Sequence, residues 1–282
     1  MLNVKICGIT KLDDGILAAK LGADAIGFVF FEKSPRNISP KDAAKISRYL
    51  PRHVARVGVF VDPDPAFVAE AIETAGLDAV QLHGISDPNK LVPYQNEIRK
   101  EKQTNSPPYK GGDRFATRQP RSGDTVSKSG VVVGGEGFNH TDAALPKLRD
   151  SQHCPLILAL PVKDNSISQT IAAFKLFIDI PLLDSYHPTL HGGTGKPFNW
   201  NYAAAVAKNN RIILAGGLTP ENTTDAVKAV QPFAVDVSSG VEAAPGIKDS
   251  HKLKTFFENI KEYRCGWKPE RNRLFPFTKY TG

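Results

Sequence analysis

Short apolar, β-branched runs alternate with longer amphipathic stretches along most of this chain. The runs read VKIC, AIGFVF, ARVGVF, DAVQL, LILAL, PLLD, RIILA and FAVDVSS, which are eight candidate strands. Between them, stretches such as KLDDGILAAKLGA, SPKDAAKISRYL, DPAFVAEAIETAG, FNWNYAAAVAKNN, TPENTTDAVKAV and IKDSHKLKTFFENI space their apolar residues as one face of a helix would. Several open on Ser, Thr, Asp or Pro, which bond or dispense with the unpaired N–H groups of a first helical turn. The pieces LGAD and AGLD put a glycine where a helix must turn back into the next strand. Eight βα units in order predict an α/β protein with a single (β/α)8 TIM barrel. An open doubly wound sheet is disfavoured, because no Gly-rich dinucleotide fingerprint follows the first run.

One region breaks the rhythm. From about residue 100 to 152 the chain is rich in Gly, Pro, Ser and charge and keeps no period, so it offers too little apolar surface to order itself. It reads as a tolerated flexible insertion between the fourth helix and the fifth strand. In a barrel that loop opens on the face opposite the catalytic one, which argues against a lid. The predicted organisation is therefore a barrel over residues 1–260, interrupted at 100–152, with a C-terminal extension over 261–282.

Composition narrows the setting. The chain has 282 residues, 41% of them hydrophobic, enough for a full core. No apolar run approaches the length of a bilayer span and no signal-like start is visible, so a soluble, cytoplasmic protein with no membrane partner is expected. The formal charge of +7 sits mostly in residues 99–153 and 261–282, and the remainder is close to neutral. No basic stripe with interleaved aromatics crosses the regular part, which sets nucleic acid aside as a partner. Cys7, Cys154 and Cys265 lie far apart, without metal-ligand spacing or a disulfide framework. No metal is expected.

In a (β/α)8 barrel the chemistry belongs at the carboxyl ends of the strands. There the sequence places Cys7-Gly8, then FEKSPRNIS, QLHG, LLDSYHPTLHGGTGKPFNW, AGGL and DVSSGVE. Gly216 and Gly217 after the seventh run, with Ser238, Ser239 and Gly240 after the eighth, offer bare backbone N–H groups where such barrels commonly hold phosphate. Either piece alone would read as a plain turn; the pair in adjacent units favours an anion site.

Taken together, KICGIT, GFVFFEKSPRNIS, VGVFVD, VQLHG, LLDSY, GGTGKPFNW, LAGGLTPENT and VDVSSGVE make the chain resemble the phosphoribosylanthranilate isomerases of tryptophan biosynthesis, in order from residue 3 to about 260. The resemblance implies an Amadori rearrangement of N-(5-phosphoribosyl)anthranilate to the 1-amino-1-deoxyribulose phosphate, by general acid–base catalysis and without a cofactor. By matching motifs, Cys7 would be the base and Asp184 the acid. Arg36 would pair with the anthranilate carboxylate, since a guanidinium fork matches a carboxylate. His83 would hydrogen-bond within the pocket, and Asp236 would orient groups in or near it. Gly193 and Gly195, in GGTG, would belong to a loop that closes over the substrate. For this chemistry the site must favour the Cys7 thiolate and hold Asp184 protonated. The expected assembly is a monomer or a homodimer.

Two departures stand out. Where the family's fifth strand typically reads IKALRV, this chain has Leu158 and Pro161, which would cost charge near the pocket mouth. After QLHG a single acid, Asp87, replaces a longer acidic pair. Two competing readings are a non-catalytic phosphate-binding barrel acting as an interaction module, and a sister ribosyl-formimino isomerase, which would carry Asp in place of Cys7.

Overall fold

The eight predicted runs form eight parallel strands that close on themselves. The computed structural model describes residues 1–104, 154–185 and 199–264. In chain order the elements are β1 (Asn3–Cys7), α1 (Leu12–Leu21), β2 (Ala25–Val29), α2 (Pro40–Ser47), β3 (Ala55–Val61), α3 (Pro65–Ala75), β4 (Ala79–His83), α4 (Val92–Thr104), β5 (Leu156–Val162), α5 (Ile167–Phe174), β6 (Ile180–Ser185), α6 (Trp200–Ala207), β7 (Ile213–Leu214), α7 (Thr223–Val230), β8 (Ala234–Val237) and α8 (Ser250–Asn259). Each strand pairs with the next and β8 returns to β1, a closed parallel barrel. A short hairpin, β9 (Glu242–Ala244) with β10 (Ile247–Lys248), leads from β8 into α8.

The helices start and stop for local reasons. Ser39 accepts from the Asp42 backbone N–H ahead of Pro40, and Asp64 does the same for Ala66 ahead of Pro65. Gly22 and Gly76, in LGAD and AGLD, take left-handed backbone with φ of 107° and 64° and stop α1 and α3. α7 begins at Thr223, three residues past the Pro220 where the pattern opens. The Asn222 side chain is engaged elsewhere, bonding the Gly217 carbonyl and the Thr219 N–H.

Strand alternation sorts the core into two shells. Residues such as Val4, Ile6, Ile26, Phe28, Val80 and Leu214 face the helices and form the large outer core. Ala25, Ala55, Val57, Ala79, Ile157, Leu182, Ile213 and Ala234 fill the barrel interior. Burying each Val, Leu or Ile among them contributes about 1.5–3 kcal/mol and each Ala methyl about 0.8 kcal/mol, so the closed interior is held by packing. It is a floor under the mouth of the barrel, not a pore.

Two expected boundaries move. Regular helix in α4 runs to Thr104, past the point at residue 100 where composition alone starts the insertion. Residues 105–152 of the insertion, and 265–282 of the C-terminal extension, lie outside the described residues. The first residues of the extension, Lys261–Arg264, form a 3-10 turn that belongs to the barrel. Arg264 is buried, donating to Asp24 Oδ2 at 2.7 Å and to the carbonyls of Leu2 and Gly22 at 2.8 and 2.6 Å. Asp24 also accepts from the Val4 N–H at 2.8 Å, so one carboxylate joins three distant pieces of chain.

Candidate active site

Register decides which chemical groups meet. β1 and β8 pair with Lys5 opposite Asp236, and β1 and β2 pair with Cys7 opposite Gly27. Asn3, Lys5 and Cys7 point into the barrel by alternation, stacking upward toward the carboxyl ends of the strands. Lys5 is fully buried, and its Nζ donates to Asp236 Oδ2 at 2.9 Å. Gly27 makes room for this arrangement: a Cβ there would lie 2.8 Å from Cys7 Sγ and 3.1 Å from Lys5 Nζ.

Above this floor opens a cavity of about 670 Å³ at the barrel mouth, lined among others by Cys7, Arg36, Gln81, His83, Asp184, Gly216, Gly217, Asp236, Ser238 and Ser239. The predicted groups thus come from six different strand ends to one concave site, the arrangement expected of a small-molecule pocket. Gly240 is not among the lining residues. A Cβ on it would strike the Leu218 carbonyl, so its lack of a side chain lets the β7 and β8 turns pack backbone to backbone. Gly216 and Gly217 both have positive φ, 84° and 66°, and a Cβ on Gly216 would strike the Ser185 N–H and stand 2.9 Å from Asp184 Oδ1. Gly193 and Gly195 lie outside the described residues.

The charges are unevenly tuned. Burial pushes the Cys7 thiol up; Lys5 pulls it back, Asp236 pushes it up again, and it ends above the ordinary thiol value. Burial also works against the Lys5 ammonium, but Asp236 and Cys7 outweigh it and hold Lys5 above the usual lysine value. Asp184 is pushed up to about 6, first by burial and further by Asp236, against the Ser185 N–H that bonds its Oδ1 at 2.7 Å. The carboxyl is thus shifted toward its protonated form, the direction the acid role asks for, while most of it is ionised at neutral pH. In the free protein the burial of the Cys7 sulfur thus outweighs the pull of Lys5 toward the thiolate.

Two of the cavity-lining residues carry a buried side-chain oxygen without a partner. Among the described residues, Asp236 Oδ1 and Gln81 Oε1 are buried and accept no hydrogen bond. Such groups are costly to bury unless a ligand's hydroxyl or N–H meets them. His83 bonds the Gln81 side-chain nitrogen through Nε2 at 2.8 Å. Arg36 reaches the mouth from the loop after β2 and is held by Glu242 through two bonds, Nε to Oε1 at 2.9 Å and Nη2 to Oε2 at 2.7 Å.

Lys5, Gln81, Glu242 and Lys248 are absent from the residues picked out by sequence. Lys5 had a readable signal, a lone charge two places before Cys7 and hence on the same face of an apolar strand. Lys248, in an exposed-looking PGIKDS, had none. One departure is corrected: Leu158 is fully buried and faces the outer core, so the basic residue it replaces would not have stood at the pocket mouth. Only Pro161, paired in register with Asp184, occupies the inward face at the end of β5.

Comparison with known proteins agrees with this geometry. The model of the family described as N-(5'-phosphoribosyl)anthranilate (PRA) isomerase matches residues 4–142 and 140–259. The chain is 37% identical over 264 residues to the N-(5'-phosphoribosyl)anthranilate isomerase of Pelobacter propionicus, covering 94% of this chain and 98% of that one. It is 40% identical over 262 residues to the same enzyme of a Geobacter species, covering 93% and 99%. The crystal structure of phosphoribosyl anthranilate isomerase from Thermotoga maritima superposes with a TM-score of 0.67 at 35% identity, covering 93% of this chain and all of that one. Another solved isomerase, 33% identical with a TM-score of 0.64 and the same coverage, is in complex with reduced 1-(o-carboxyphenylamino)-1-deoxyribulose 5-phosphate. The Thermotoga maritima enzyme is also described as dimeric, with monomers generated from it.

Proposed function

Because the chain belongs to the N-(5'-phosphoribosyl)anthranilate isomerase family, we propose that its barrel mouth converts N-(5-phosphoribosyl)anthranilate to 1-(2-carboxyphenylamino)-1-deoxyribulose 5-phosphate, a step of tryptophan biosynthesis. The observation that carries the reading is that Cys7 and Asp184, the latter with its carboxyl pKa raised, line one cavity together with two glycine-bearing turns. The substrate phosphate sits on the N–H groups of Gly216, Gly217, Ser238 and Ser239, and the anthranilate carboxylate meets Arg36.

Asp184 delivers its proton to the furanose ring oxygen as the C1–O bond breaks and the nitrogen lone pair forms the Schiff base. Cys7 then takes the proton from C2, and the electrons left behind flow to the nitrogen to give the enolamine, which becomes the ketone. Lys5 supplies the positive charge that makes the Cys7 thiolate accessible, and Asp236 holds Lys5 in place. Asp236 Oδ1 and Gln81 Oε1 accept from the sugar hydroxyls. Gly193 and Gly195, outside the described residues, join the substrate-binding set on the resemblance alone. None of these steps calls on a cofactor.

The test is to mix purified protein with enzymatically generated phosphoribosylanthranilate and follow the loss of its fluorescence. Turnover is expected, and none above background from folded protein would overturn the reading. In a tryptophan auxotroph, Cys7→Ala should abolish rescue, whereas a non-catalytic barrel would tolerate it. The domain reading belongs to the same proposal: the barrel works as one unit in the cytoplasm, as a monomer or homodimer, and replacing residues 105–152 by a short Gly/Ser linker leaves turnover intact.

A further inference from the structure

Glu242 closes the SSGVE motif, yet nothing in the acid–base chemistry uses it. Its side chain is almost fully buried, at 4% exposure, at the rim where β8 passes into the β9–β10 hairpin. Both of its oxygens are engaged. Oε2 accepts from Arg36 Nη2 at 2.7 Å, while Oε1 accepts from Arg36 Nε at 2.9 Å, from the fully buried Lys248 Nζ at 2.8 Å and from the Gly246 N–H at 3.3 Å. Lys248 Nζ donates also to the Ser238 carbonyl at 3.1 Å, tying the cluster to the turn after β8. On its other side the Arg36 stem lies over Gly8, where a Cβ would stand 2.6 Å from Arg36 Cδ.

The geometry of these bonds matters. A guanidinium has five N–H groups and two bidentate edges, one side-on through Nε and one Nη, the other end-on through both Nη atoms. Glu242 occupies the side-on edge. Among the described residues no acceptor meets Nη1, so the end-on edge is left for a second carboxylate at the cavity. Charge does not forbid this: Arg36, Glu242 and Lys248 together carry one net positive charge, because Lys248 offsets the Glu242 anion. Burial pushes Glu242 up, but Arg36 and Lys248 prevail and keep it below the usual glutamate value, so it is ionised at working pH.

We infer that Glu242 is a positioning residue that clamps Arg36 by its side-on edge and presents the end-on edge to the substrate's ring carboxylate, setting the preference for a carboxylated aromatic amine. This rests on the isomerase reading and deepens it. A free arginine would lose its rotamer freedom on binding, and the clamp removes that cost before the substrate arrives.

The test compares two substrates condensed from ribose 5-phosphate, one with anthranilate and one with aniline, each followed by NMR of the product ketone. Wild-type turnover of the first tests the isomerase reading; the ratio of kcat/KM between the two tests the clamp. Glu242→Gln keeps shape but cannot accept through both atoms. It should raise KM for the carboxylated substrate about 10-fold, lower kcat less, and collapse the ratio by a similar factor. In an Arg36→Met background the same change should no longer alter the ratio. A ratio unaltered by Glu242→Gln, or a loss equal for both substrates and undiminished in the Arg36→Met background, would overturn the proposal. Wild-type protein inert toward both substrates would overturn the isomerase reading and this one with it. Glu242→Asp supplies a folded, charged comparison that should recover part of the ratio.

Discussion

Lys5 Nζ stands 2.9 Å from Asp236 Oδ2, and the two residues are direct partners in the β1–β8 register that closes the barrel. The seam of the fold and the seat of the charge are thus one place. A fully buried ammonium costs several kcal/mol unless it is paired. Here the pairing leaves Lys5 protonated beside Cys7, whose thiolate it favours.

Lys5→Met should therefore cost more than packing. Cys7 would lose the cation that favours its ionised form, and Asp236 would be left as an unpaired buried anion. We expect kcat/KM to fall on the order of 10²-fold and the pH at which Cys7 is half-labelled by iodoacetamide to move upward. Peptide-resolved mass spectrometry, which separates Cys7 from Cys154 and Cys265, would read it. An unmoved labelling curve would detach Lys5 from the thiol.

The pH profile should be broad. Catalysis needs Cys7 ionised and Asp184 protonated, but the acid titrates near 6 while the thiol sits above its ordinary 9.0. Between those values one proton is shared by the pair, and the productive arrangement is a small, constant fraction. kcat/KM should rise through about pH 6, stay level across neutrality and fall only in the alkaline range. A sharp maximum near pH 7 would contradict this assignment.

The same carboxyl predicts a stability effect. Asp184 has a raised folded pKa, so folding is favoured when it is protonated and weakened as pH climbs through about 6. Asp184→Asn should abolish turnover yet raise stability by about 2 kcal/mol at pH 8, with the gain vanishing near pH 4. Urea unfolding at the two pH values measures it.

Gly27→Ala tests the space between strands. The added methyl would fall 2.8 Å from Cys7 Sγ and 3.1 Å from both Cys7 Cα and Lys5 Nζ. Overpacking of this kind costs about 1–3 kcal/mol. Turnover should drop further than stability alone accounts for, because both displaced atoms belong to the proton-transfer site.

Arg264→Ala probes the opposite face. It takes the cation away from Asp24, which is 2% exposed, and removes the donor to the carbonyls of Leu2 and Gly22. Breaking such a buried pair costs about 3–5 kcal/mol, with kcat unaffected at temperatures where the protein stays folded. Thermal unfolding and kcat measured together separate the two.

Much of this was legible along the chain. All eight strands, their order and the barrel follow from local periodicity, because each βα unit carries its own apolar face, and several are marked off by a cap residue such as Ser39 or Asp64 or by a stop glycine, Gly22 or Gly76. Cys7, Arg36, Asp184, Asp236 and the glycine turns were visible as motif residues at strand ends, which is where (β/α)8 barrels do chemistry. What the sequence could not determine is what depends on closure. That Lys5 meets Asp236, and that Glu242 clasps both Arg36 and Lys248, brings together residues 231, 206 and 6 positions apart. The two long-range pairings exist only once the first and last strands are hydrogen-bonded side by side. The thiol's raised pKa likewise follows from burial, a property of the closed barrel and of no stretch within it. The sequence determined which groups are present and on which face of each strand; the register at which the barrel closes decided which of them share a proton.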